Sequence, residues 1–250
     1  MKKAILMLLP LLCMAKNLTL EHRINPPNRE LMDVEIVNEI MIIPGNLDGY
    51  DFYDISEPTN PTIITNLEIP MGNGNRSLPG LWVSATDSVA YFTCRTKQDG
   101  SAIVDFSDPD NPNHVGSLPI SGLDIEEPSF EGSDIHGDLL AVAIHEDGVL
   151  LYDISEPLEP VLILQRPCEN AWTVAFIDTG HFVIGNGDHG IIIEEFDCME
   201  DSCGGSSFET EGAVKDLVVE DDLLYVAEGS DGVSVYDISD IEQPMLLDRY

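Results

Sequence analysis

Along most of the chain, apolar runs of four to eight residues alternate with short clusters of Gly, Asp, Ser and Pro. The C-terminal stretch shows the pattern most clearly. Val214–Val219 is followed by Glu220-Asp221-Asp222, Leu223–Ala227 by Gly229-Ser230-Asp231-Gly232, and Val233–Ile238 by a Ser/Pro segment before Met245–Tyr250. Runs of this length, rich in Val, Ile, Leu and Tyr and bounded by turn formers, predict β-strands. Asp-Gly between the second and third runs predicts a hairpin, because glycine accepts the positive φ such a turn needs. No stretch combines an amphipathic helical period with caps, so the expected class is all-β.

The same pattern recurs. Gly49, Gly100, Gly148, Gly190 and Gly232 lie 51, 48, 42 and 42 residues apart, and open the segments GYDFYDIS, GSAIVDFS, GVLLYDIS, GIIIEEFD and GVSVYDIS. Five places on stand Asp54, Asp105, Asp153, Glu195 and Asp237, and four units continue into Ser56, Ser107, Ser155 and Ser239. Pro61, Pro112, Pro160 and Pro244 share a later position. Eighteen places before each glycine stand Leu31, Trp82, Phe130, Trp172 and Val214, and six places before it Ile43, Cys94, Val142, Ile184 and Val226. A four-stranded unit repeated every 40–50 residues is the mark of a β-propeller blade, whose faces are buried against neighbouring blades. The reading is five blades over about 30–70, 71–121, 122–167, 168–210 and 211–250, with Trp82 and Trp172 wedged between blades. Residues 16–29 precede them, and Leu18–Ile24 offers a candidate extra outer strand. Five blades can close a ring, and an open ring would invite self-association.

The unit seen in Leu224-Tyr225-Val226-Ala227 through Asp237-Ile238-Ser239, and in Asp153-Ile154-Ser155-Glu156-Pro157, resembles the LVIVD repeat of bacterial exported and cell-surface propellers. The resemblance runs from about Glu30 to Tyr250. It implies the fold and export, and says little about chemistry, because the repeat consists of fold-forming residues. The fourth unit departs from it: Glu195-Phe196-Asp197 replaces Asp-Ile-Ser and the prolines are absent. Cys198 and Cys203 fall in that gap, where a local disulfide would brace the turn. With Cys94 and Cys168 they allow three full pairings, and Cys94, aligned with Ile and Val, reads as a buried thiol.

Export is also expected from the N-terminus. Lys2 and Lys3 precede an apolar run from Ala4 to Ala15 that is too short to span a bilayer, which reads as a signal peptide over 1–15. Lipidation at Cys13 is disfavoured by Leu12, which stands where a small residue is wanted. The expected location is secreted, periplasmic or at the cell surface.

Charge narrows the partners. Acidic residues number 46 against 11 basic, a formal net charge of −35 over 250 residues. Nucleic-acid binding requires Lys and Arg to displace counterions from phosphates, so the balance argues against it. An anionic membrane surface is disfavoured by the same repulsion. Cations and basic partners fit better. Asp48, Asp99, Asp147, Asp188 and Asp231, one per hairpin, are the candidate metal ligands, and Ca²⁺ is the candidate ion because it takes six to eight oxygens. Their recurrence beside glycine has a second explanation in the turn itself. His145 and His189, in corresponding hairpins, are candidate transition-metal ligands with His136 or His181. No Gly-x-Ser-x-Gly or His-Glu-x-x-His motif occurs. The expectation is therefore an exported, non-catalytic binding propeller that takes a protein, glycan or cation on an acidic loop face. A Ca²⁺-assisted hydrolase of the propeller kind is the alternative.

Overall fold

The computed structural model describes residues 33–45, 48–70, 77–95, 100–123, 125, 128–196 and 205–250. The signal peptide, the 16–29 segment, Asp99 and the Cys198–Cys203 pair lie outside the described residues. Among those described, twenty strands form five four-stranded antiparallel sheets, each a meander in chain order. Blade 1 comprises β1 (Glu35–Val37), β2 (Ile40–Pro44), β3 (Tyr50–Asp54) and β4 (Thr62–Leu67). Blade 2 comprises β5 (Trp82–Ala85), β6 (Val89–Thr93), β7 (Ser101–Asp105) and β8 (Asn113–Gly116). Blade 3 holds β9 (Ser133–His136), β10 (Leu139–Ala143), β11 (Val149–Asp153) and β12 (Val161–Arg166). Blade 4 holds β13 (Thr173–Phe176), β14 (His181–Gly185), β15 (Ile191–Glu195) and β16 (Gly205–Phe208). Blade 5 holds β17 (Asp216–Glu220), β18 (Leu223–Ala227), β19 (Val233–Asp237) and β20 (Met245–Arg249).

The second strands of blades 2, 3 and 4 are buried on both faces, which is why β6, β10 and β14 read as nearly continuous apolar runs. The outer strands β4, β8, β12 and β20 carry the exposed Ile63, Val115, Val161 and Met245. A β-bulge recurs at one place in the third-to-fourth-strand pairing of blades 1, 2 and 5, at Phe52/Tyr53, Ile103/Val104 and Val235/Tyr236. The Asp-Ile-Ser element that follows is a turn closed by its own aspartate. The Asp54, Asp105 and Asp237 carboxylates accept the backbone N–H of Ser56, Ser107 and Ser239 at 2.8, 2.9 and 2.9 Å. The recurring aspartates and serines are thus consumed by local backbone bonding.

The described chain packs as two compact units, residues 33–130 with 154–161, and residues 131–153 with 162–250. In the first, Tyr50 stacks on Phe92 with ring centroids 4.0 Å apart, and its hydroxyl donates to the Leu78 carbonyl at 2.8 Å. Gly80 lies against that tyrosine, where a Cβ would come within 2.4 Å of the ring. In the second, Phe182 stacks on Phe196 at 5.2 Å and Phe208 meets Tyr236 at 4.8 Å. In both units a carboxylate on, or just before, one inner strand accepts a backbone N–H from the next. Asp33 receives Val83 at 3.0 Å, and Asp134 receives Phe176 at 2.9 Å.

The register corrects the expected equivalence of the tryptophans. Leu81, Glu131, Trp172 and Lys215 are the corresponding residues, each donating its backbone N–H to the last carbonyl of its blade's second strand (Thr93, Ala143, Gly185 and Ala227) at 2.8–2.9 Å. Trp82 stands one place later, paired with Thr93 as Thr173 is with Gly185 and Asp216 with Ala227. The buried wedge is one place earlier, at Gly80, Phe130, Ala171 and Val214. Both tryptophans are half-buried. Two insertions hid this. The blade 2 hairpin closes from Cys94 to Gly100, two residues longer than Ile144–Gly148. The first turn of blade 4 is one residue longer, since Thr173 and Gly185 are twelve apart where Asp216 and Ala227 are eleven. Counting back from glycine therefore drifts.

Candidate functional site

The second-to-third-strand hairpins follow one plan. The backbone N–H of Gly45, Cys94, Ile144, Asn186 and Glu228 donates to the carbonyl of Gly49, Gly100, Gly148, Gly190 and Gly232, at 2.7–2.8 Å. Gly49, Gly148, Gly190 and Gly232 have φ of +86, +92, +86 and +93°. At those four a side chain is excluded twice. A Cβ would lie 2.6 Å from the Leu67 carbonyl oxygen, 1.9 Å from that of Arg166, 2.2 Å from that of Phe208 and 2.0 Å from that of Tyr250. Positive φ and the approach of the fourth strand together require glycine.

The aspartates before them serve the same turn. The backbone N–H of Asp48, Asp147 and Asp231 donates to the carbonyl of Gly45, Ile144 and Glu228 at 3.0, 3.1 and 3.2 Å. In blade 4 that role belongs to His189, at 2.8 Å from the Asn186 carbonyl, so Asp188 is one place out of register with the others. The side chains of Asp48, Asp188 and Asp231 are exposed and that of Asp147 half-buried. Among the described residues no three His, Cys, Asp or Glu side chains come together in a way that could hold a metal ion.

The candidate ligands His145 and His189, and His136 and His181 offered as a third, each lie against a different neighbour. His181 Nδ1 lies 2.9 Å from Asp178, His189 Nδ1 lies 3.6 Å from Glu169, the His136 ring is 5.9 Å from Phe176, and the His145 ring is 6.1 Å from Trp172. Neither Cys94 nor Cys168 is in a disulfide. Cys94 is fully buried as expected, and burial pushes the Cys168 thiol up to about 11.

What the second unit does bring together is an aromatic and a cation. The Lys215 ammonium lies 3.8 Å from the centroid of the Trp172 ring. The indole N–H donates to Asn170 Oδ1 at 2.8 Å, and the Asn170 backbone N–H donates to Asn186 Oδ1 at 2.8 Å, so the ring is held at its edge. His145, on the neighbouring hairpin, stands at φ +53° and bonds reciprocally with Ala171, its N–H to the Ala171 carbonyl at 3.0 Å and its carbonyl from the Ala171 N–H at 2.9 Å. That bridge sets the imidazole beside Trp172. In the first unit Arg95 similarly lies over Trp82, 5.2 Å from its centroid. Motif reading missed Lys215, Asn170 and Asn186 because none sits at a recurring residue type. The scarcity of cations, 11 against 46 acidic residues, was the available signal.

On the last blade, Glu228 is buried and accepts the Gly212 N–H at 3.2 Å. Arg249 on β20 lies 2.9 Å from Glu211 and 3.6 Å from Glu228, fastening the fourth strand to the hairpin. A family profile described as the LVIVD repeat matches residues 211–250. The fifth blade thus resembles an LVIVD repeat. Its Asp237-Ile238-Ser239 turn and Gly232 hairpin are the features that blades 1 and 3 share with it. No curated protein sequence matches the chain. Solved structures resemble it in fold. The "Crystal Structure of Mitotic Checkpoint Complex" contains a chain matched at 13% identity over 90% of this chain and 68% of that one, with a TM-score of 0.67. The computationally designed protein Ika8 is matched at 11% identity over 88% of this chain, with a TM-score of 0.61. This chain spans 61% of the designed protein's length. "Structure of U3-55K" is matched at 10% identity over 90% and 83% of the two chains, with a TM-score of 0.56. At such identities the likeness shows the fold alone, that of a β-propeller built of four-stranded blades.

Proposed function

We propose that the LVIVD-repeat chain is an exported, non-catalytic binding propeller that takes its ligand, a protein, glycan or cation, at the loop ends of its blades. The observation carrying this reading is Trp172, a large aromatic left half-buried beside a hairpin, its ring face occupied by an exposed lysine rather than by core. The repeated carboxylates support it in a different way. Asp33, Asp54, Asp105, Asp134 and Asp237 each accept a backbone N–H and are engaged in holding the fold. The exposed hairpin residues Asp48, Asp188 and Asp231 are then the carboxylates an incoming cation would meet.

Trp82 and Trp172 are the only tryptophans, so Trp82→Phe leaves Trp172 as a single fluorescent reporter. Titration with millimolar Ca²⁺, with a neutral oligosaccharide and with a basic peptide, each against NaCl of equal ionic strength, should shift its emission and raise the unfolding midpoint for one of the three. A ligand at a hundred times its Kd stabilises by about 2.7 kcal/mol. A flat response to all three, in both emission and midpoint, would overturn the reading.

A further inference from the structure

We infer that Trp172 is a receiving site for an organic ammonium group and that Lys215 closes it from within. The inference rests on the binding reading above and names the ligand chemistry of that site. Four cations lie among the described residues, Arg95, Arg166, Lys215 and Arg249. Arg166 and Arg249 pair with carboxylates, Arg166 with Glu194 at 3.2 Å. The other two lie over the chain's two tryptophans. With acidic residues outnumbering basic ones about fourfold, a lysine has carboxylates in every direction. Lys215 nevertheless rests on an indole face and has no ion pair among the described residues.

An indole face attracts a cation through its quadrupole, and quaternary ammonium recognition is the best-known use of that attraction. The surrounding negative charge raises the local concentration of any cation near the face. The ring is also held for the purpose of presentation, its N–H tied to Asn170 and its flank set by His145 in a left-handed conformation. Lys215 is exposed and its four-carbon stem can swing away, so an external ammonium can take the same face once the lysine leaves. Lys215 is thus an internal stand-in for the ligand, and each binding event must displace it.

The test uses tetramethylammonium chloride, with trilysine as a second probe, and reads the line width of the tetramethylammonium methyl resonance against NaCl of equal ionic strength. A Trp82→Ala background removes the other cation-bearing ring. Lys215→Ala should bind about two- to fivefold more tightly than the parent, the factor matching a surface cation–π contact. Lys215→Arg should bind like the parent, and Lys215→Ala with Trp172→Ala should lose binding. Lys215 is exposed and makes no ion pair among the described residues, so unchanged circular dichroism is expected for its variants. Tighter competition by trilysine than by its ammonium count explains would assign the site to a basic protein segment, and equal competition per ammonium to a small quaternary ligand. Equal affinity of Lys215→Ala and parent, absence of binding in both, or binding that survives loss of Trp172 would overturn the inference. A response of Trp172 to Ca²⁺ or oligosaccharide in those cases would leave the broader binding reading standing.

Discussion

The hairpins of blades 3 and 4 perform one backbone task with different side chains. Their first loop residues, His145 and Gly187, both stand at φ +53°, and each gives its carbonyl to the start of the next inner strand, to the Ala171 N–H at 2.9 Å and the Val214 N–H at 3.0 Å. At Gly187 a Cβ would come within 2.3 Å of Asn170 Nδ2, so glycine is the residue that fits. At His145 a side chain is accommodated and reaches Trp172. A non-glycine residue in the left-handed region costs roughly 1–2 kcal/mol, and blade 5 uses Gly229 at φ +63° for the same position. The comparison separates two kinds of information. The backbone requirement is common to blades 3, 4 and 5, and the side chain placed on it is particular to one.

Substitutions test how far that separation holds. The largest effect is expected at the glycines that end both hairpins. Gly148→Ala and Gly190→Ala should each cost about 3 kcal/mol or more in urea unfolding, because strain at positive φ adds to a clash with a backbone carbonyl. A loss under about 1 kcal/mol would mean the fourth strand can retreat. Gly187→Ala should cost less, about 2 kcal/mol, since its obstacle is the flexible end of Asn170. His145→Gly should go the other way, stabilising by about 0.5 kcal/mol as the left-handed strain is relieved, while altering Trp172 emission. If it destabilises strongly, the imidazole is holding structure rather than presenting the ring.

The smallest expected effect concerns the turn that leaves the blade 5 hairpin. Hydrogen bonds from the Ser239 side chain and backbone hold the Asp237 carboxyl below its ordinary value, as the Ser56 bonds do for Asp54. A carboxyl depressed in the folded state contributes stability that is present above its unfolded value, about 3.9, and is lost as the pH falls through the folded value. Ser239→Ala should therefore be slightly less stable than the parent at neutral pH, with the difference vanishing in strong acid. A difference that persists unchanged at low pH would assign the effect to packing. Blade 4 has Glu195-Phe196 at this position and offers the internal contrast.

The blades were legible because their makers act locally. Positive-φ glycines, Asp-x-Ser turns and apolar strand runs each declare themselves within a few residues, and together they announce five four-stranded sheets. The two insertions, in the blade 2 hairpin and the first turn of blade 4, are invisible to a count from one anchor, and they make Trp82 and Trp172 look equivalent when they stand one place apart in register. The burial actually falls to Phe130, Ala171 and Val214, among which alanine gives no sign of its role in sequence. The candidate grouping of His145 and His189 with His136 or His181 makes no three-ligand cluster among the described residues, for a related reason. Residues one place apart on a turn point to different neighbours, and hairpin position does not settle direction.

The amino-acid sequence by itself determined an all-β chain of five repeated four-stranded units, because hydrogen-bonded turns and two-faced strands depend on residues close in the chain. The tertiary structure alone decided which residues meet across blades. It took Lys215 out of an acidic background and set it over Trp172, 43 positions away. Such pairings depend on how adjacent sheets pack and on the register within each, and a shift of one residue exchanges a buried side chain for one at the surface.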